Sequence, residues 1–240
     1  NNINLVGTID DSITGIYLLN KSTFTKADAD QLLFASGTMS TLKGKEITGK
    51  DIFAEILPNG SNIKIPSDLT GTKTFGTEDG EMVKELDKEF GRQAALNSLN
   101  KAFLLGAVYL SRIGYTLSVR DLNVSDKVKR LAEEIIVEAE KKTQGIIEDY
   151  KSGKLVVMHG KNLEETRETK IAQTLNEIRT DIAGIVKANV SSDSNVAKMI
   201  LPGAGGSILN ITQIGCCFGQ QIMWNKRISI RYKDRTLSFF

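Results

Sequence analysis

The residues best suited to chemistry lie in one stretch near the C-terminal end of the sequence. Residues 203–207 are Gly, Ala, Gly, Gly and Ser, so the backbone there can turn tightly and present N–H groups to an anion. Ser207 is suited to cap a helix that begins after it. Four amide side chains follow within an otherwise apolar run: Asn210, Gln213, Gln220 and Gln221. Because unsatisfied amides are costly in apolar surroundings, we expect them to have partners inside or outside the chain.

A basic segment comes directly after the amides. From Ser194 onward the sequence holds six cations and one acid, although the net charge of the whole chain is only +2. Lys226, Arg227, Arg231 and Arg235 are therefore candidates for contact with phosphate or with an acidic protein partner. The same composition is more typical of a solvated or partner-facing strand and turn than of direct contact with nucleic acid.

Residue patterns typical of catalytic or metal centres are missing from the sequence. His159, the single histidine, sits beside Gly160 in a predicted loop with no cysteine nearby. Cys216 and Cys217 are adjacent, which strains a mutual disulfide and favours two small buried side chains. Residues 203–207 also lack the Gly-Lys-Ser/Thr ending of a phosphate-binding P-loop. We therefore assign no catalytic residue and no metal ligand.

Helices predominate among the elements that must position these residues. The pattern predicts helices over residues 5–20, 26–35 and 49–57, and one or two more over residues 81–113, which Gly114 ends. Thr25 and Thr48 each precede an acid by three residues, a variant of the capping box. Residues 62–66 and 115–119 have β-like patterns. The apolar stripe of the last helix comprises Ala95, Leu99, Ala102, Phe103, Gly106 and Tyr109 or Leu110.

Two long amphipathic helices follow. The first covers residues 126–150, and the second begins at Asn162, with Glu165 three residues later as in a capping box. One face of the first helix carries Val128, Leu131, Ile135, Ala139, Ile146 and Tyr150. On the second, Ile171, Leu175, Ile178, Ile182 and Ile185 alternate spacings of four and three. This spacing predicts an antiparallel helical hairpin packed as a short coiled coil, with the stripe serving packing and not ligand binding.

These predictions define the fold class as α+β and mostly helical. We expect a mixed α/β part over residues 1–115, the hairpin over residues 116–195, and a glycine- and glutamine-rich segment over residues 196–240. Apolar runs long enough to span a bilayer are missing from the sequence. Since the sequence begins without Met and inside an apolar segment, we expect it to be a piece of a longer polypeptide.

The C-terminal stretch also resembles a known family. GGSILNITQIGCCFGQQ at residues 205–221, followed by KRI at 226–228 and RTL at 235–237, resembles the largest subunit of archaeal and eukaryotic multisubunit DNA-directed RNA polymerases. Upstream, residues 11–15, 48–58 and 114–116 agree with the family in order and spacing. The similarity covers nearly the whole chain and is weakest over residues 60–90.

The resemblance implies the pore and funnel region of that subunit, which lines the secondary channel. Nucleoside triphosphates are thought to enter there and backtracked RNA to leave. The hairpin would be the funnel's coiled coil, on which transcript-cleavage factors dock. The residues implied to lie near the inner pore and the base of the bridge helix are Gly205, Ser207, Asn210, Gln213, Gln220 and Gln221.

The resemblance also implies an enzyme only in the assembled state. The whole polymerase is a nucleotidyltransferase, and its Mg²⁺ is bound by residues upstream of Asn1. This chain alone is therefore expected to be inactive and to bind no cofactor. The implied partners are other polymerase subunits and a transcript-cleavage factor. Nucleoside triphosphates, DNA and RNA are expected to bind only to the whole enzyme, and no contact with a membrane is expected. A cytoplasmic, archaeal-like location is implied, and a nuclear or viral origin stays open.

The sequence departs from the family pattern at three places. Gly205 stands where the family has Lys or Arg, so a direct phosphate contact is not carried over. Asn225 replaces a glycine, and residues 238–239 replace Pro-His. The alternative function is a free-standing helical-hairpin adaptor that binds a protein through its exposed face. A third hypothesis is an anion-binding protein that uses the backbone of residues 203–207.

Overall fold

The computed structural model describes residues 6–61, 63–65, 74–77, 80–224 and 226–228 of the chain. These residues are mostly helical and include two antiparallel two-stranded sheets, β1–β2 and β3–β4. In chain order the elements are α1 (Asp11–Asn20), β1 (Thr23–Phe24), α2 (Lys26–Ala35), β2 (Ile47–Thr48), α3 (Gly49–Ala54), α4 (Glu81–Phe90), α5 (Arg92–Ile113), a 3₁₀ helix (Val119–Leu122), α6 (Asp126–Lys151), α7 (Leu163–Asn189), α8 (Asn195–Ile200), α9 (Ile208–Gly215), β3 (Ile222–Met223) and β4 (Lys226–Arg227). The predicted α+β, mostly helical class is confirmed.

The chain divides into two compact units. The first unit comprises Asn1–Asp121 and Ser191–Ser207, and the second comprises Leu122–Val190 and Ile208–Phe240. The residues of the candidate site are therefore divided between the two units. Gly205 and Ser207 belong to the first unit, and the four amide residues belong to the second.

Side-chain caps fix several helix starts where the sequence predicts them. The Thr25 hydroxyl accepts a hydrogen bond from the Asp28 N–H at 3.3 Å, and α2 has the predicted bounds. Thr48 and Asp51 form a reciprocal capping box at the start of α3, and Asn162 and Glu165 form another at the start of α7. Each cap satisfies N–H groups that a helix start leaves without an intrahelical partner.

A close crossing of α1 and α5 organises the core of the first unit. A Cβ atom at Gly15 would overlap the backbone of Gly106, and one at Gly106 would overlap the carbonyl of Ser12. Glycine at both positions therefore lets the two backbones pack with no side chain between them. The core of this unit includes ten large, fully buried side chains: Phe53, Phe75, Ile16, Leu19, Leu32, Leu33, Ile52, Ile56, Leu86 and Leu105.

Several boundaries differ from the predicted ones. Helix α1 begins at Asp11 and not at residue 5, because Asp10 has a left-handed backbone with φ of 50° that cannot continue a helix; residues 1–5 lie outside the described part. Helix α3 ends at Ala54 and not at residue 57. Phe103, predicted in the apolar stripe of α5, is exposed, whereas the other members of the stripe are buried.

Both β-like predictions are wrong where the structure describes them. Residues 63–65 have no regular structure, and residues 62 and 66 lie outside the described residues. Residues 115–118 form no strand because their polar groups bind the start of α8 instead. The Tyr115 hydroxyl donates to the Asn195 carbonyl, and the Asn195 side-chain nitrogen donates to the Thr116 carbonyl at 2.9 Å. Tertiary contacts thus override the β propensity of Tyr, Thr and Val.

Two ionisable groups in this contact have shifted pKa values. Burial, together with the negative charges of Asp121 and Asp11, raises the pKa of Tyr115 to about 12. Hydrogen bonds from the Ser118 hydroxyl and N–H lower the pKa of Asp121. Neutral Tyr115 and ionised Asp121 are therefore the forms that this contact favours at neutral pH.

The second unit is built on the pair α6 and α7. The Arg167 guanidinium lies 4.4 Å from the centre of the Tyr150 ring, and the charges of Glu177 and Asp181 act on Lys142. Residues late in α6 thus meet residues early in α7, and the two helices run in opposite directions. Their buried side chains include Val128, Ala132 and Ala139 on α6 and Ile171, Ile178, Ile182 and Val186 on α7.

We predict that Gly106→Ala destabilises the first unit by about 2 kcal/mol or more, because the new Cβ would force the α1 and α5 backbones apart. The control is Gly145→Ala in α6, where a Cβ meets nothing within 4 Å. That change should stabilise its helix by about 0.5–1 kcal/mol, since alanine is the better helix former. Urea denaturation of the chain measures both effects, and equal stability of the Gly106→Ala and wild-type chains would contradict the close crossing.

Candidate functional site

Helix α9 presents the first two amides of the candidate site. It begins at Ile208, directly after Ser207, as the sequence predicts. Ile211 and Thr212 are buried, and the Thr212 hydroxyl donates to the Ile208 carbonyl at 2.9 Å. At the other end, the N–H groups of Cys216 and Cys217 both donate to the Thr212 carbonyl. The helix therefore closes into a loop over residues 216–221, which carries the other two amides.

Three of the four amides bind the backbone of this loop. The Gln213 and Gln221 side-chain nitrogens each donate to the Phe218 carbonyl at 3.3 Å, and Gln221 also reaches the Gly219 carbonyl. The Gln220 side-chain nitrogen donates to the Gln221 carbonyl at 2.8 Å. Asn210 is exposed on α9. The partners that the sequence requires are thus found largely within the loop itself, which gives it a defined shape.

The glycine turn closes the end of α8. The Gly203 N–H donates to the Ile200 carbonyl and the Ala204 N–H donates to the Met199 carbonyl, both at 3.0 Å. Gly203 and Gly206 have φ values of 79° and 69°, which glycine adopts without the steric cost that other residues incur. Two of the backbone donors that an anion site would need are therefore engaged inside the turn.

Gly205 differs from its glycine neighbours. Its φ lies outside the left-handed region, and an added Cβ would meet only the Met199 side chain, at 3.8 Å and beyond. Nothing in the local backbone therefore requires glycine at this position. The local geometry at this position would therefore tolerate a Cβ.

The basic segment begins with a small β-hairpin. Strands β3 and β4 pair with Ile222 opposite Arg227. Trp224, between the strands, has a φ of 57° and an exposed fraction of 85%. Only the backbone of Lys226 is described, and Arg231 and Arg235 lie outside the described residues.

Arg227 is bound within its own unit. Its Nε and Nη2 atoms lie 3.0 and 2.9 Å from Oε2 of Glu168 on α7. The other oxygen of Glu168, Oε1, accepts from Arg167 Nε at 3.0 Å and lies 2.9 Å from its Nη2. The side chains of Arg227 and Glu168 are 19% and 23% exposed, so solvent screens this pair less than a surface ion pair. Arg227 therefore anchors the β-hairpin to α7.

Exposed apolar side chains cluster along this part of the sequence. Large hydrophobic residues remain accessible on α9, in the loop and on the hairpin: Ile214, Phe218, Ile222, Met223 and Trp224. These accessible apolar side chains are candidates for contact with another protein element. The sequence shows these residues as apolar but does not show which of them the fold leaves uncovered.

The residues of metal-binding type are dispersed in the described part of the chain. Within the ranges that the structure covers, no group of three His, Cys, Asp or Glu side chains could hold a metal ion. His159 is an exposed loop residue, as predicted. Cys216 and Cys217 are free and only half-buried, and burial raises the pKa of Cys216. Among the helices described, none has the length and apolar character needed to cross a membrane.

We predict that Glu168→Gln lowers the free energy of unfolding by about 1–2 kcal/mol, because two partly buried guanidinium groups lose their shared carboxylate. Hydrogen exchange at residues 222–224 and 226–227 should accelerate. Glu164→Gln is the matched control, since its carboxylate is exposed and lies 3.5 Å from Arg167. It should cost less than about 0.5 kcal/mol. Equal effects of the two variants would contradict the anchoring role of Glu168.

Comparison with known proteins gives matches at both ends of the chain. The family model described as RNA polymerase Rpb1, domain 3 matches residues 1–122, and that described as RNA polymerase Rpb1, domain 4 matches residues 147–240. The chain is 31% identical to the DNA-directed RNA polymerase subunit Rpo1N of Methanothermobacter thermautotrophicus, over 98% of this chain and 31% of the relative. It is 32% identical to Rpo1N of Halobacterium salinarum, over 99% of this chain and 27% of the relative. It is 29% identical to Rpo1N of Methanocaldococcus jannaschii, over 98% of this chain and 20% of the relative. The chain thus spans about a third or less of the length of these relatives.

Proposed function

The chain belongs to the family of RNA polymerase largest subunits, and we propose that within the polymerase it forms a wall of the secondary channel and a docking surface for a transcript-cleavage factor. The observation that carries the proposal is the combination of similarity over nearly the whole of this chain with two exposed surfaces, one apolar and one charged. Both family domains match in the expected chain order.

The channel-wall role rests on α9, the amide loop and the β-hairpin. The amides of the loop donate to its own backbone carbonyls, which favours the loop shape seen here before any partner binds. Phe218 and Trp224 project apolar surface beside it. In the assembled enzyme we expect neighbouring elements, including the bridge helix, to cover that apolar surface. The amide loop would then line the passage for nucleotides and backtracked RNA.

Catalysis belongs to the whole polymerase in this proposal. The described residues do not provide a set of ligands that fits Mg²⁺, so no step of nucleotidyl transfer is assigned to them. The magnesium ions that neutralise triphosphate charge would be bound by residues of the subunit outside this chain. The contribution of this chain is to shape access to that centre.

The docking role rests on the outer face of α6. A shallow groove of about 490 Å³ is lined there by Arg130, Glu133, Glu134, Val137, Glu138 and Lys141. Val137 is an exposed apolar side chain among charges of both signs. An apolar spot with a charged rim is the usual arrangement of a transient protein interface. A free-standing adaptor could use the same face, but the family matches over both ends favour the polymerase.

The docking role is tested in the complete polymerase with Glu133→Lys and Glu134→Lys, separately and together. We expect factor-stimulated cleavage of backtracked RNA to fall several-fold, because the reversed charges repel a complementary partner. Nucleotide addition without the factor should stay unchanged. Glu140→Lys is the control, since it is exposed on the same helix but does not line the groove. Unchanged factor-stimulated cleavage in the double variant would contradict docking at this face.

A further inference from the structure

A second groove lies in the first unit, beside α2. Its volume is about 560 Å³, and its lining includes Asp30, Gln31, Phe34, Thr38, Met39 and Arg112. We call it the α2 groove. It involves none of the residues assigned to the channel wall or to the α6 face.

The end of α2 creates this groove. The Gly37 N–H donates to the Phe34 carbonyl, and the Thr38 N–H donates to the Leu33 carbonyl at 2.8 Å. With Gly37 at a φ of 76°, these two bonds form a Schellman motif, which turns the chain back at the helix end. The turn brings Thr38 and Met39 to the same groove as Phe34, which lies on the last turn of α2.

Two solvent-exposed polar contacts flank the groove. On the far side of the turn, the Thr41 N–H and hydroxyl both donate to the Glu55 carboxylate at 2.8 Å. On α2, Lys26 and Asp30 form a 2.8 Å ion pair. A site that is ordered before binding loses less conformational entropy when a ligand arrives.

The apolar part of the groove is unusually accessible. Leu32 and Leu33 on α2 are fully buried, but Phe34 and Met39 are 77% and 82% exposed. Two large apolar side chains this exposed in one groove indicate a surface that another molecule covers. Aromatic and methionine side chains are also enriched at the centres of protein interfaces.

The polar part of the groove favours an anionic partner. Arg112 has no hydrogen-bond or ion-pair partner among the residues that the structure describes. The charge of Asp30, the one acid in the lining, is balanced by the ion pair between its Oδ2 and Lys26, while its buried Oδ1 has no hydrogen-bond partner among the same residues. Thr38 is 8% exposed, and its hydroxyl oxygen has no hydrogen-bond partner within the same described part. That oxygen is too buried for a ligand to reach, so the Arg112 guanidinium is the polar group that remains for a ligand's carboxylate.

We propose that the α2 groove binds a peptide segment of a protein partner in which an apolar side chain is flanked by Asp or Glu. The apolar side chain packs against Phe34 and Met39. The acidic residue pairs with Arg112. The proposal is independent of the channel and docking roles, because the α2 groove shares no residue with the channel wall or with the groove on α6.

The test uses the 240-residue chain and three fluorescein-labelled peptides, Gly-Ser-X-Leu-Phe-Ser-Gly with X as Asp, Asn or Lys. Fluorescence anisotropy should show that the Asp peptide binds about fivefold tighter than the Asn peptide, as expected for one accessible ion pair. Arg112→Glu should reverse the order, so that the Lys peptide binds tightest. Phe34→Ser should weaken all three, and since Phe34 is exposed the variant should fold normally.

Arg120→Glu and Val119→Ser are the matched controls, because both residues are exposed in the same unit and neither lines the groove. They should leave all three affinities unchanged. Equal affinity for the three peptides, absence of binding, or an unchanged order in Arg112→Glu would overturn the proposal. Binding of a labelled oligouridylate that Arg112→Glu abolishes, without peptide binding, would assign the groove to nucleic acid instead.

Discussion

The direct backbone contact between α1 and α5 at Gly15 and Gly106 constrains the whole first unit. Because no side chain separates the helices there, the residues on either side must pack around the crossing. Further along α5, Tyr109 meets the Phe24 ring edge-on and shares a hydrogen bond of 2.7 Å with Ser22. Arg112, one turn beyond, then reaches the α2 groove. The position of the Arg112 guanidinium on the surface thus depends on the close packing at Gly15 and Gly106 in the core.

The second unit depends more on local polar contacts. Glu168 joins α7 to the β-hairpin through Arg227, and the amide loop is closed by its own glutamines. Each of these groups would be costly if left without a partner, and each finds one within the unit. These polar contacts hold the β-hairpin and the loop in place, while Phe218 and Trp224 stay exposed. Polar contacts within the unit, together with exposed apolar side chains, suit an element that lines the proposed channel on one side and packs against neighbouring polymerase elements on the other.

Much of the helical structure could be predicted, because capping residues and apolar spacing are local properties. Thr25, Thr48 and Asn162 act as helix caps where the sequence places them. Residues 115–118 could not be predicted, since Asn195, some 80 residues away, determines their conformation. The sequence indicates that the amides require partners, but not that Phe218 and Gly219 supply them. Likewise, Arg227 appears as a free cation until the fold brings Glu168 beside it.

The central claim is that this chain lines the channel through which backtracked RNA leaves the polymerase. The most direct test uses complete polymerase complexes backtracked by several nucleotides, with a photoreactive 4-thiouridine at the RNA 3′ end. Irradiation and mass spectrometry then identify the cross-linked peptide. The account predicts cross-links within residues 203–221, in the glycine turn, α9 or the amide loop. Efficient cross-linking of the RNA 3′ end to other elements, with none to this chain, would contradict it.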